Sequence, residues 1–110
     1  MLIDIRLEDH KVLVVGGGKI AERKTLQLLD SGSEVTLVGQ EFTKKLIELD
    51  ESGQVNLEKK EVIDGILRSY RKLELSIVIV ASDNKLLNEK VAKEARTLGL
   101  LVCVVDNPSI

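Results

Sequence analysis

The sequence predicts an α/β fold: a doubly wound, all-parallel sheet of five strands in the order 3-2-1-4-5, with helices on both faces. Three observations predict it. Apolar runs of strand length alternate with stretches of helical periodicity along the chain. Two of those runs, Lys11-Val-Leu-Val-Val15 and Leu75-Ser-Ile-Val-Ile-Val80, are too apolar to face water on either side, as in a parallel sheet covered on both faces. The first run breaks at three glycines and resumes as a helix, the opening of a βαβ unit.

Each element follows from its own pattern. Leu2 to Leu7 alternate apolar and charged residues as an extended lead-in, and Glu8-Asp9-His10 turns the chain into the first strand. His10, the only histidine, reads as a solvated turn residue at the end of the sheet opposite the glycine loop. The first helix spans Lys19 to Asp30 and stops at Ser31-Gly32, with Gly32 in the left-handed position after the cap. Glu34 to Val38 is the second strand. Glu41 to Asp50 reads as the second helix, with Phe42, Leu46 and Leu49 on one side. Val55 to Lys59 alternates against polar neighbours, as an edge strand does. Ile63, Ile66, Leu67 and Tyr70 fall at i, i+3, i+4 and i+7, a short amphipathic helix or helical crossover. Leu75 to Val80 is the fourth strand, Leu87, Val91, Ala95 and Leu98 stripe the next helix, and Leu100 to Val105 reads as a fifth, buried strand.

The turn after the first strand matches Gly16-x-Gly18-x-x-Ala21. Gly16 allows a sharp exit from the strand, Gly18 leaves room for a phosphate against the backbone, and Ala21 lets the helix pack closely on the sheet. Unpaired N–H groups and the positive end of the helix dipole face that position. A tight structural turn without a ligand is the alternative reading. The fold is therefore Rossmann-like, with its ligand crevice beyond the carboxyl ends of strands 1 and 4.

Four loops reach that crevice. The glycine loop brings Lys19 and Arg23, which attract anions, and Lys24, which reads as solvated. The second strand ends in Gly39-Gln40, where a dinucleotide fold normally carries a carboxylate for the ribose hydroxyls, and Glu41 comes only afterwards. Ala81-Ser82-Asp83-Asn84 follows the fourth strand, and Ser82 or Asp83 is either the N-cap of the next helix or a ligand contact. Two roles are open to Asp106 in Val104-Val-Asp106-Asn107-Pro108: general acid/base at the end of a central strand, or organiser of the turn.

Composition excludes several classes. The chain has 110 residues, room for one domain and one core. Phe42 and Tyr70 are the only aromatics and the net charge is −2, so nothing marks a nucleic-acid partner or an anionic membrane surface. No apolar run approaches the roughly 20 residues of a membrane span, and Met1 to His10 carries acidic residues where a signal peptide needs apolar ones, so a cytoplasmic protein is expected. Cys103 is alone and reads as a core thiol; no metal site is expected.

Val14-Val-Gly-Gly-Gly-Lys-Ile-Ala-Glu-Arg-Lys24, Gly32-Ser-Glu-Val-Thr-Leu-Val38, Val80-Ala-Ser-Asp83 with Asn88 beyond it, and Gly99 through Val104-Val-Asp-Asn-Pro108 together resemble one family. It is the N-terminal domain of sirohaem synthase, the precorrin-2 dehydrogenase/sirohydrochlorin ferrochelatase group. The resemblance covers nearly the whole chain. It implies oxidation of the tetrapyrrole precorrin-2 to sirohydrochlorin with hydride passing to NAD⁺, and in some members Fe²⁺ insertion, a lyase step. It implies that Gly16, Gly17, Gly18, Lys19 and Ile20 hold the pyrophosphate, that Val38 and Gly39 border the adenosine, and that Ala81, Ser82 and Asp83 line the nicotinamide end. Asp106 matches the family's aspartate implicated in both steps. Cys103 stands where the family usually has Asn. By this resemblance residues 1–110 form one NAD-binding domain, without the helical C-terminal region that in the family supplies homodimer contacts and much of the tetrapyrrole cleft. Two other classes fit a bare domain of this kind: a non-catalytic NAD(H)-sensing module, and a structural domain that dimerises through an edge strand.

Overall fold

A computed structural model describes residues 10–63 and 65–105. Five parallel strands form one sheet in the order β3-β2-β1-β4-β5. They are β1 (Lys11–Val15), β2 (Glu34–Gly39), β3 (Val55–Lys59), β4 (Ile77–Val80) and β5 (Leu101–Val104). The helices are α1 (Lys19–Asp30), α2 (Lys44–Glu51) and α3 (Lys85–Thr97), and a 3₁₀ segment spans Ile66–Leu73. β1 lies at the centre, pairing Val12 to Val15 with Val35 to Val38 on one side and with Ile77 to Val80 on the other. The expected architecture and strand order are both present.

Alternation along the central strands sorts the core onto two faces. Val12, Val14, Val35 and Leu37 pack with Ala21 and Leu28 of α1 and with Leu46 and Leu49 of α2. Leu13, Val15, Val78 and Val80 pack with Ile66, Leu67 and Tyr70 of the 3₁₀ segment and with Val91 and Ala95 of α3. Both faces of β1 are therefore covered, which is why it carries no polar residue beyond Lys11 at its start. The expected short helix or helical crossover between β3 and β4 is this 3₁₀ segment; Ile66, Leu67 and Tyr70 are buried as expected, but Ile63 lies before it and is 56% exposed. No helix among the described residues is long and apolar enough to cross a membrane.

Several boundaries differ from expectation for identifiable reasons. α2 begins at Lys44, because Thr43 caps it by accepting a hydrogen bond from the Leu46 N–H at 3.3 Å. Glu41 and Phe42 stay outside the helix, held against the glycine loop. β4 starts at Ile77, two residues later than the apolar run. Ser76, just before it, bonds His10 Nδ1 through its hydroxyl at 2.7 Å. His10 is accordingly half-buried rather than a solvated turn residue, although it does lie at the amino end of the sheet, where its carbonyl accepts from the Glu34 N–H. β5 is the largest correction. Its apolarity predicts burial, yet it is an edge strand, with Leu101 60% and Val104 39% exposed. Leu98, expected on the buried stripe of α3, is exposed as well, since it falls on the C-cap.

Candidate functional site at the crest of the sheet

The crest above β1 is assembled by backbone hydrogen bonds between neighbouring strand ends. The Gly16 N–H donates to the Val38 carbonyl at 2.9 Å, and the Ala81 N–H donates to the Val15 carbonyl at 2.8 Å. The Lys60 N–H reaches the Gly39 carbonyl at 2.9 Å on one flank, and the Val105 N–H reaches the Val80 carbonyl at 2.9 Å on the other. Chain leaving β1 enters α1 on one face and chain leaving β4 enters α3 on the opposite face. That reversal between β1 and β4 is the switch point at which open α/β sheets bind their ligands.

Each glycine of the loop answers a different demand. Gly16 has φ +129°, a region that side chains disfavour, and a Cβ there would stand 2.7 Å from the Ala81 carbonyl oxygen. Gly17 is held by packing: a Cβ would overlap the Glu41 carbonyl oxygen and lie 2.7 Å from Phe42 Cδ1. Its own carbonyl accepts from the Thr43 N–H at 3.0 Å. Gly18 is different. It is the N-cap of α1, exposed, with no side-chain cap, and a Cβ there would meet nothing within 4 Å. Among the described residues no contact demands glycine at that position, and it opens a helix whose first N–H groups have no partner within the helix. That combination fits a phosphate group. Ala21, with 0% exposure, lets α1 sit close on the sheet.

The remaining residues expected at the site distribute unevenly. Lys19 is exposed and Ile20 half-buried at the helix start, and Arg23 is exposed while Lys24 is half-buried. Val38 and Gly39 are at the crest but buried, so Val38 reaches the crevice through its backbone and its side chain belongs to the core. Ala81 abuts Gly16 and is 4% exposed. Neither Ser82 nor Asp83 caps α3. Asn84 does, accepting from the Leu87 N–H at 3.0 Å. The Ser82 hydroxyl is bonded to Asn88 of α3 instead, and Asp83 is exposed. Asp106 lies outside the described residues, one position beyond Val105. Cys103 is half-buried on β5 with a free thiol. Among the described residues no cluster of His, Cys, Asp or Glu is placed to hold a metal ion.

One polar cluster near the crest had no sequence signal. The Tyr70 hydroxyl donates to Glu58 Oε1 at 2.6 Å, Lys60 Nζ lies 3.2 Å from the same oxygen, and that ammonium sits 4.9 Å from the centre of the Tyr70 ring. The hydrogen bond from Tyr70 and the nearby Lys60 hold the Glu58 carboxyl below its ordinary range. Burial and the Glu58 carboxylate push the Tyr70 hydroxyl well above its own. Glu58 stands opposite Val38 in the sheet, so the cluster pins the 3₁₀ segment to the adenosine-side end expected of the crevice.

The family model described as putative NAD(P)-binding matches residues 3–110. The chain belongs to this family. A siroheme synthase of Methylococcus capsulatus is 34% identical over 108 residues, covering 98% of this chain and 22% of that protein. Siroheme synthase 3 of Aeromonas hydrophila is 34% identical over 103 residues, 94% of this chain and 21% of that one. A precorrin-2 dehydrogenase of Bacillus subtilis is 29% identical over 104 residues, 94% of this chain and 61% of that one. Among solved structures, SirC, precorrin-2 dehydrogenase, superposes with a TM-score of 0.75 at 25% identity, covering 100% of this chain and 50% of that chain. The resemblance drawn from the motifs is borne out, and the chain spans less than two thirds of each of these relatives.

Proposed function

We propose that this chain is the NAD-binding part of a precorrin-2 dehydrogenase of sirohaem biosynthesis, acting in the cytoplasm. The observation that carries the reading is the glycine loop at the switch point. Gly18 is open to the crevice with no packing reason to be glycine, in a chain that matches siroheme synthases over nearly its full length. Gly16 to Ile20 cradle the pyrophosphate, the Val38-Gly39 backbone borders the adenosine, and Ala81 to Asp83 line the nicotinamide end. When bound, NAD⁺ supplies the hydride acceptor. The protein's own contribution is to hold the cofactor, shield it from water and present it to the reduced tetrapyrrole. Asp106, two positions past the end of β5 in the sequence, handles the substrate proton, and Lys19 and Arg23 supply positive potential for a polyanionic substrate. The family's C-terminal region would complete the tetrapyrrole cleft and a homodimer, and would decide any ferrochelatase activity. The relatives favour this reading over an NAD(H)-sensing module.

The test is NAD⁺ titration by calorimetry, followed by NADH formation with enzymatically generated precorrin-2. NAD⁺ binding is expected of this chain, and turnover once the family's C-terminal region is supplied, with that turnover lost in Asp106→Asn. Absence of NAD⁺ binding overturns the reading. Binding without turnover in the presence of that region withdraws the dehydrogenase step from this chain.

A further inference from the structure

Asn88 is 5% exposed in the second turn of α3, and both ends of its amide are used. Its Nδ2 donates to the Ser82 carbonyl at 2.8 Å, while its Oδ1 accepts from the Ser82 hydroxyl. The same hydroxyl accepts from the Asn84 N–H at 3.3 Å. Asn84 in turn caps α3, and its carbonyl accepts the Asn88 N–H at 2.9 Å. Ser82 is thereby tied at its hydroxyl and its carbonyl to a helix that is itself packed on β4 and β5. Ala81, the preceding residue, is anchored to Val15 and abuts Gly16. The ring of bonds closes on the loop after β4, whose first residue abuts Gly16 of the glycine loop.

We infer that Asn88 is a positioning residue: through its paired hydrogen bonds to Ser82 it sets the shape of the 81–84 loop, and so the nicotinamide end of the cofactor site. This rests on the crevice reading above. The chemistry of the site explains the residue type. One planar group must donate to a carbonyl and accept from a hydroxyl at once; an amide does both, a carboxylate only accepts, and an alkyl group does neither. The Ser82 hydroxyl proton is committed to Asn88, so Ser82 serves the shape of the loop, and its hydroxyl is not a free donor for a ligand. Gly16 to Gly18 form the loop between β1 and α1, and Lys19 and Ile20 open that helix. Gly16 abuts the Ala81-Ser82 backbone, but the neighbours of Gly17 are Glu41 and Phe42 and Gly18 meets open space. The pyrophosphate subsite at the start of α1 therefore does not depend on the side-chain bonds of Asn88.

The test compares NAD⁺ with ADP, which carries the adenosine and pyrophosphate but no nicotinamide, on the 110-residue chain and its Asn88→Asp and Ser82→Ala variants. At about pH 8, Asn88→Asp places a carboxylate against the Ser82 carbonyl, and NAD⁺ affinity is expected to fall roughly tenfold, the loss of one loop-fixing bond, with ADP affinity unchanged. Toward about pH 5 the introduced carboxyl takes up a proton, with burial raising its pKa toward that range, regains a donor and recovers NAD⁺ affinity, a trend the wild type lacks. Ser82→Ala is expected to weaken NAD⁺ and spare ADP at every pH. Equal NAD⁺ affinity in all three proteins overturns the inference. So does a parallel loss of NAD⁺ and ADP, which would show that Asn88 only supports the fold. Failure of the wild type to bind either ligand overturns the crevice reading itself, and the inference with it.

Discussion

Gly17 and Gly18 are adjacent glycines of one loop, and replacing them should damage different properties. In Gly17→Ala the new Cβ overlaps the Glu41 carbonyl oxygen and stands 2.7 Å from Phe42 Cδ1 and 3.0 Å from the Glu41 carbonyl carbon. Two of those three atoms are backbone, so no side-chain rotation relieves the clash. The Glu41-Phe42 segment must move, and the 3.0 Å bond from the Thr43 N–H to the Gly17 carbonyl moves with it. Overpacking costs about 1–3 kcal/mol and the strained hydrogen bond about 1 more, so the expected loss is about 2–4 kcal/mol. For a domain of this size each kcal/mol lowers Tm by about 4 °C, so a drop of roughly 8–16 °C is expected. In Gly18→Val the Cβ enters open space, so the cost should be within about 1 kcal/mol, the scale of a helix N-cap change. Its methyl groups occupy the position assigned to the phosphate, and ADP and NAD⁺ affinity should collapse. Thermal unfolding by circular dichroism and calorimetric titration of both variants make the comparison. A Gly17→Ala protein that melts within a few degrees of wild type would refute the packing argument. A Gly18→Val protein that binds ADP normally would refute the phosphate assignment.

Tyr70→Phe removes the donor to Glu58 and is expected to cost about 1–2 kcal/mol at neutral pH, read from urea unfolding. Because Tyr70 lowers the Glu58 pKa in the folded state, that advantage is present above the ordinary value of 4.5 and lost as pH falls through the lower folded value. Wild type and variant should therefore converge in acid; a gap that persists there would reject the Glu58 partnership. Thr43→Ala removes the N-cap of α2 and should cost about 1 kcal/mol by the same measurement. Leu13→Ala, at 0% exposure on β1, should cost about 2–5 kcal/mol. Leu101→Ala, the same change on exposed β5, should stay within about 0.5 kcal/mol. Equal losses would mean that β5 is covered in solution.

The alternation of strand and helix was legible because it is written locally. The period of apolar residues marks Lys11–Val15 and Glu34–Gly39 as strands and Lys19–Asp30 as a helix without reference to any distant partner. Right-handed crossovers then leave few orders for five parallel strands, and the glycine loop after the first selects the one observed. Gly16 and Ala21 were legible for the same reason, since a sharp turn and a close helix approach are local demands. The start of α2 was not. Phe42 has the spacing of a helix residue, but it is held against Gly17 from across the crest.

The sequence by itself therefore determined the class, the strand order and the loop around which the site is built. The tertiary structure decided what those elements do to one another. Apolarity states a preference for burial but not whether a neighbour exists, which is how β5 comes to be an exposed edge. Small size permits several reasons for glycine, and only the atoms facing Gly17 and Gly18 separate packing from open space. Ser82, Asp83 and Asn84 are all competent N-caps, and Asn84 takes the role while Asn88, from the next turn of α3, engages Ser82. Tyr70 reaches Glu58 from twelve positions away for a similar reason. Periodicity is a property of neighbours along the chain, whereas hydrogen bonds and steric contacts belong to neighbours in space, and those exist only once the sheet has brought its loops together.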